Sequence, residues 1–452
     1  MADVATPSDT RERVPATGWP VETTVRDALY DRIPLAGPEL TVLSTKAFLR
    51  LDRIQQLGFV SRIWPGAKHT RYEHSLGVYH LTRLAVAHLR RVAPVAWCSD
   101  EDARTICAAA LLHDIGHYPF SHAIEELGTP ILSHETVGRG LIEGVEIGAI
   151  LWEQWGVDPA RVAAIVAPEG RELLAPDRVL RGILSGALDM DKLDYLPRDA
   201  RNCTVPYGGV DTARLIDALA LADVPPDDTP RVVIGRKGIS PLHSLINARQ
   251  EMFDNVYWHH TNRACMAMLL RAVQEALIAG VISPSTLTNH DDASLLALLS
   301  APGMPADTRR LTMALKERRV HKRAVEISAR AFELYARLGN LFFDPLARRE
   351  VEIRLADGLS EIISETVPAE AVLIDIPKPE RWRTDVWVQF DQPPVGFLEL
   401  MPWRDVVGLG DDDFKRYEEH RRLIRIVAAA PYRDVLATHW ERLMLPLLGG
   451  VV

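Results

Sequence analysis

Cysteine is scarce in this chain: four in 452 residues, Cys98, Cys107, Cys203 and Cys265, with no CxxC pair among them. That excludes a disulfide framework and a cysteine-based zinc site, and it fits a reducing compartment with small buried thiols. No apolar run reaches the ~18 residues of a membrane span. The opening stretch MADVATPSDTRERVPATGWP lacks the apolar segment of a secretory signal. The chain is therefore expected to be cytoplasmic. An excess of positive charge is missing too: 61 acidic against 52 basic residues leave a formal charge of −9. Such a protein gets no long-range help in binding nucleic acid or an anionic membrane, so any polyanion must be drawn in by a local cluster or a metal. No repeat of 20–50 residues is visible.

What is present is an ordinary globular balance, 47% hydrophobic and 25% charged, in a chain long enough for two lobes. Residues 1–24 are polar and read as a mobile tail. An extended piece at residue 39 is expected to lead into a helical pattern running to residue 60. Helical spacing then dominates over 73–93, 101–115, 121–127, 134–144, 159–166, 178–196, 211–221, 241–280 and 309–340, with a β-like insert at 231–239. After about residue 345 the composition shifts. AVLIDI (371–376), TDVWVQF (384–390) and GFLELM (396–401) read as strands, followed by helical segments at 412–426 and 431–448. The expectation is a mainly α fold: a helical core over 25–345 and a smaller α+β lobe over 346–452.

Histidine is where the sequence departs from the ordinary. Eight of fifteen fall between residues 69 and 134. Four positions stand out: His74 in RYEHSLGVYHL, the pair His113 and Asp114 at the end of a helical segment, and Asp191 in ALDMDKLDYLPRDARN. Neighbours on a helix point about 100° apart, so His113 and Asp114 can grip one ion only at a helix end. Gly116 and Pro119 supply that end. Two imidazoles and two carboxylates make a set suited to a divalent ion (Mn, Fe, Ni, Co, Zn or Mg), with open positions for water and substrate. His122 and Glu125, three apart, share a helix face, so the carboxylate can fix the ring's tautomer and raise its pKa toward a proton donor's.

The motifs QLG…PGAKHTRYEHSLGV, HDIGHYPFSH, His134-Glu135, DMDKLDYLPRD and a later R-x7-Y run in order over about residues 31–265. In this the chain resembles the HD-domain metal-dependent phosphohydrolases, and within them the deoxynucleoside triphosphate triphosphohydrolases. The resemblance implies that His74, His113, Asp114 and Asp191 are the metal ligands, with Asp189 the runner-up for the fourth. It implies that His122 and Glu125 serve the leaving 5′ oxygen and that His117 and His134 lie near the phosphates or the catalytic water. Arg71, Lys192 and Arg249 match phosphate-contacting positions. Gln56, Leu57, Tyr195, Asp199 and Tyr257 match the sugar pocket, where a tyrosine ring against C2′ would exclude a 2′-OH.

The sequence also departs from that family. The positions that read an activating guanine nucleotide fall near Ser44 and Asp52, and Asp52 reverses the charge. Phe253 and Trp258 replace polar pocket residues, so base preference does not carry over. The implied activity is hydrolysis of a (deoxy)nucleoside triphosphate at the α-phosphorus by a homo-oligomer. Two alternatives stand beside it: another HD-type nucleotide phosphatase or phosphodiesterase, and a nucleotide-sensing or nucleic-acid-binding assembly protein. The basic run KERRVHKR (316–323) is the feature that favours the last, as a local patch on a helix face.

Overall fold

A computed structural model of the chain describes residues 17–93, 97–170, 172–378, 385–410, 413 and 421–447. Among the described residues the fold is mainly helical, with three small sheets: the hairpin β1 (Thr23–Asp27) and β2 (Asp31–Leu35); β3 (Leu219–Val224), β4 (Thr229–Gly235), β7 (Trp387–Gln389) and β8 (Leu400–Pro402), in that order; and β5 (Lys322–Ser328), β9 (Leu423–Ala428) and β6 (Val372–Asp375). Among the described residues, apolar side chains gather in three clusters.

The largest cluster surrounds the helix Arg71–Val92, which is buried on most of its circumference. Its start is set by Thr70, whose backbone N–H donates to the Glu73 carboxylate at 3.0 Å. The helix Asp100–Leu112 packs beside it through CAAALL, six residues that are all fully buried. Ser99 caps it: the Asp102 N–H donates to Ser99 Oγ at 3.1 Å, and the Ser99 N–H to Asp102 at 2.8 Å. The helix Met190–Cys203 crosses the first helix at Gly77, where a Cβ would stand 1.9 Å from Asp194 Oδ1. Only glycine permits that approach, and the approach is what carries Asp191 and Asp194 to His74.

The C-terminal sheet packs against the helices Pro345–Ile363 and Arg433–Leu447 around a core that includes Leu355, Leu359, Ile374 and Ile426. β5 and β6 both run antiparallel to β9, pairing Ile327 with Ile424 and Ile374 with Ile426. The sheet therefore recruits residues well before 346. Conversely β7 runs parallel to β4 and joins the core side.

Several local expectations are corrected. The stretch at 39 is helical (Gly37–Leu43), started by Pro38 and by the Glu39 carboxylate accepting from the Ala36 N–H at 3.1 Å. The 178–196 pattern is two helices, because Asp189 takes the amides of Gly186 and Lys192, both at 2.8 Å, and restarts the helix there. Segment 211–221 is helical only over Thr212–Ile216 before β3. The 309–340 pattern is broken by β5, where alternating Val325 and Ile327 find β9. Of the helical pattern over 412–426, Asp413 and Arg421 are helical and β9 takes over at Leu423; residues 411–412 and 414–420 lie outside the described set, as do 1–16 and 379–384. KERRVHKR is no continuous helix face: the helix ends at Lys316, His321 is buried, and β5 begins at Lys322. The end of the expected tail is held, with Trp19 edge-on to Trp155 at 5.0 Å. All four cysteines are free thiols, three of them buried.

Candidate active site

The helices Arg71–Val92, Asp100–Leu112 and Met190–Cys203 converge where His74, His113 and Asp191 meet. Their ligand-capable atoms all lie within 4.8 Å of one another. His74 Nε2 stands 3.0 Å from Asp191 Oδ1 and 3.3 Å from His113 Nε2. Asp114 joins from the side, with Oδ2 at 3.7 Å from His74 Nε2 and Oδ1 at 3.4 Å from His113 Nε2. Asp191 keeps 35% of its side chain exposed, so the cluster opens to solvent on that side.

The tautomers are fixed from behind. His113 Nδ1 lies 2.8 Å from the Ala110 carbonyl, which can only accept, so that nitrogen carries the proton. His74 Nδ1 lies 2.8 Å from Asp194 Oδ2. Burial raises the Asp194 pKa, but Arg198 and His74 outweigh it and bring it down to about 2, so this carboxylate is ionised and His74 Nδ1 is its donor. With neutral rings, two Nε2 lone pairs then face each other and two carboxylates. A proton on His74 Nε2 or a bound cation relieves that arrangement, and the nitrogen and oxygen donors fit a divalent transition ion. Burial resists charging the His74 ring, yet the bonds to Asp191 and Asp194 and the Asp114 charge push its pKa up to about 10, a measure of the negative potential gathered there. Asp189 stands apart, its oxygens occupied by the Gly186 and Lys192 amides and by Lys192 Nζ at 2.5 Å.

A second group lies across Asp114. His117, His122, Glu125 and His134 place their ligand-capable atoms within 4.8 Å of one another. His117 is fully buried, stacks on His134 at 3.8 Å, and sits 3.2 Å from Asp114 Oδ1. Burial, Arg71 and His134 hold its pKa well below the usual imidazole range, so it is neutral. His122 is 62% exposed in its side chain and begins the 3₁₀ turn Ser121–Leu127 with Glu125 one turn on. Glu125 does not belong to His122 alone. Its Oε2 is 3.4 Å from His122 Nδ1, while its Oε1 is 2.6 Å from His134 Nδ1 and accepts the His134 N–H at 2.7 Å. Burial works against its charge, but both histidines hold its pKa below the carboxylate range. Gly116 allows this packing: a Cβ there would stand 2.1 Å from the His134 carbonyl oxygen.

The cations and sugar-pocket residues surround this pair of groups. Arg71 is buried and donates to Asp114 Oδ2 at 2.5 Å and to Ser121 Oγ at 3.1 Å. Lys192 donates from Nζ to the Gly186 carbonyl at 2.8 Å. The Arg249 guanidinium lies 5.5 Å above the Phe253 ring. Tyr195 faces both His74 and Tyr257 with ring centroids at 6.4 Å, and burial pushes its pKa up to about 12. Tyr257 donates to Asp199 Oδ2 at 2.6 Å. Gln56 is buried with no hydrogen-bond partner for Oε1 among the described residues, and Leu57 packs against the main core. Phe253 and Trp258 pack edge to face at 5.7 Å, with the Arg422 guanidinium 5.7 Å above Trp258.

Three residues were not singled out from sequence. Asp194 and Arg198 form a buried pair, and Arg198 also reaches Asp27 at 2.8 Å. Their i, i+4 spacing inside the DKxDYxxRD run was a readable signal. His69 Nε2 lies 2.7 Å from Asp199 Oδ1, so both Asp199 oxygens are engaged; no spacing rule points to that pair.

The family described as HD domain matches residues 71–199, and the one described as HD associated region matches 210–392. An uncharacterized protein of Methanocaldococcus jannaschii is 32% identical over 61% of this chain and 54% of its own length. The deoxynucleoside triphosphate triphosphohydrolase SAMHD1 of Homo sapiens is 26% identical over 56% of this chain and 44% of its own. The chain thus spans about half the length of these curated relatives. A crystal structure of a hypothetical protein from Aquifex aeolicus shares the fold, with a TM-score of 0.68 and 24% identity over 92% of this chain and 99% of that one. Among the described residues no helix is long and apolar enough to cross a membrane. Residues 71–199 of this chain match the HD domain family and residues 210–392 the HD associated region, and the chain is similar to a deoxynucleoside triphosphate triphosphohydrolase.

Proposed function

We propose that the chain hydrolyses a (deoxy)nucleoside triphosphate at the α-phosphorus, releasing nucleoside and inorganic triphosphate. The observation that carries this reading is the placement of two histidine groups on either side of Asp114: His74, His113 and Asp191 with lone pairs turned inward, and the exposed His122 across from them beside Glu125. The likeness to a named triphosphohydrolase supports the choice of substrate.

His74, His113, Asp114 and Asp191 would hold a divalent ion, which when bound supplies positive charge and a water of lowered pKa. Arg71 neutralises phosphate charge from a seat made rigid by Asp114 and Ser121. Lys192 joins by swinging off the Gly186 carbonyl, and Arg249 approaches from the Tyr195 side. His122 gives its proton to the departing 5′ oxygen, with Glu125 holding the ring and stabilising its charged form. His117, kept neutral, and His134 line the phosphate side. Gln56 Oε1, buried and unpartnered, accepts from the 3′-OH. Tyr195 and Tyr257 set the wall against C2′, with Asp199 fixing the Tyr257 hydroxyl. We read the protein as a homo-oligomer by the family resemblance and as cytoplasmic from its free thiols; light scattering of the purified chain checks the first part.

Product analysis tests the reading. The metal-loaded protein is incubated with NTPs, dNTPs and model phosphodiesters, and the phosphorus products are identified by ³¹P NMR. Inorganic triphosphate with nucleoside supports attack at the α-phosphorus. Orthophosphate or pyrophosphate as the sole product sinks it and favours a phosphatase or phosphodiesterase on the same ligand set.

A further inference from the structure

The segment before the helix Asp292–Leu299 lies far along the chain from the HD motifs, inside the HD-associated region, yet it touches the loops that carry them. Asp292 is 9% exposed. One carboxylate oxygen accepts the Phe120 N–H at 2.7 Å and the other accepts the Gln55 N–H at 3.0 Å. Phe120 and Ser121 both adopt left-handed backbone, φ 59° and 60°, which non-glycine residues hold only when their surroundings impose it. The surroundings here are specific. Phe120 stacks on Phe59 at 4.4 Å, and Ser121 Oγ donates to the Gln55 and Gln56 carbonyls at 3.0 and 3.1 Å while accepting from Arg71. Arg50 ties the same loop from its other end, donating to the carbonyls of His117 at 2.7 Å, Ile115 at 3.2 Å and His290 at 3.0 Å.

We propose that Asp292 is a positioning residue: by pinning the Phe120 and Gln55 amides to one carboxylate it sets where His122 and Gln56 stand relative to His74, His113 and Asp191. The left-handed pair at Phe120 and Ser121 turns the chain from the His113 helix end into the His122 turn. Release of the Phe120 amide frees that turn, and His122, the next residue, loses its bearing first. The metal-side residues are anchored independently by Ala110 and Asp194 and stay in place. The HD-associated region, which also supplies Arg249 and Tyr257, thus reaches the His122 turn through Asp292. This inference rests on the reading of His122 as proton donor.

Asp292→Asn tests it, because an amide accepts from one N–H but turns its own NH₂ toward the other. Two substrates are compared: a deoxynucleoside triphosphate, whose alkoxide must be protonated as it leaves, and a phosphodiester with a p-nitrophenolate leaving group, which needs no proton. The nucleotide rate should fall roughly ten-fold or more while the p-nitrophenolate rate stays within about two-fold and metal content is unchanged. Nucleotide turnover within about two-fold of the parent, or both rates falling together, overturns the proposal. Should Asp292→Asn not fold, Asp292→Glu, which keeps the charge on a longer arm, is read by the same ratio; failure of both to fold assigns the residue to stability alone and also overturns it. His122→Ala separates the two levels. If it shows the ratio shift and the Asp292 variant does not, only this inference falls. If His122→Ala loses both rates alike, the proton-donor reading itself falls.

Discussion

His74 and His113 face each other through their Nε2 atoms, 3.3 Å apart, while each Nδ1 is already committed as a donor, to Asp194 and to the Ala110 carbonyl. Two lone pairs held that close are an unfavourable contact unless a proton or a cation lies between them. Asp191→Ala should therefore abolish bound divalent metal, measured by elemental analysis of the purified protein. Asp189→Ala should keep the metal and instead weaken the helix start at Met190, lowering stability by ~1 kcal/mol in chemical denaturation. Retention of metal by Asp191→Ala would return Asp189 to consideration.

Asp194 supports that arrangement from behind. It accepts from the His74 ring, from Arg198 and from the Tyr30 hydroxyl at 2.8 Å. Asp194→Asn should lower metal affinity by ~10–100-fold, since the ring loses both its orientation and part of its basicity. It should also destabilise the fold by ~3 kcal/mol or more, because Arg198 is left buried with Asp27 as its remaining acid. Metal titration and urea melts measure the two effects separately.

Glu125 is shared between two histidines, and it lies closer to His134 than to His122. Glu125→Gln removes the charge that both rings use. Nucleotide turnover should drop by ~10²–10⁴ with metal content intact, as for His122→Ala. An equal loss of metal in Glu125→Gln would show instead that the second histidine group takes part in ion binding.

His80 stacks near Tyr30 at 5.1 Å on the central helix, and burial with Arg83 brings its pKa down to about 4. Between pH 6.5 and about 4 the unfolded chain binds this proton and the folded one does not. Stability from this group is therefore present above pH 6.5 and lost as pH falls, by up to ~3 kcal/mol. Asp292 works in the opposite sense, since burial raises its pKa to about 6 and the folded protein holds that proton longer. The readable quantity is thus the difference between parent and His80→Gln: the variant's melting temperature should fall less on acidification from pH 6.5 to 4.5 than the parent's.

Much of this protein was legible in its linear order. The helical character, the strand at 371–376 and the terminal helix follow from apolar periodicity, which is local, while the grouping of His74, His113, Asp114 and Asp191 is what the family resemblance of their motifs implies. Capping, strand pairing and tautomer choice are different in kind. Asp189 and Asp191 are two residues apart and equally acidic; what separates them is that Asp189 faces two free amides at a helix start while Asp191 faces two rings. The break at β5 required β9, a partner about 100 residues on, because an edge of alternating Val325 and Ile327 is satisfied only when a second strand supplies the hydrogen bonds. The sharing of Glu125 with His134, the hold of His69 and Tyr257 on Asp199, and the grip of Asp292 on Phe120 and Gln55 depend on donors and acceptors from separate segments arriving within 3 Å. Residue types and their spacing carry the chemistry available to the chain; which oxygen meets which nitrogen was decided only when the close approaches at Gly77 and Gly116 brought those segments together.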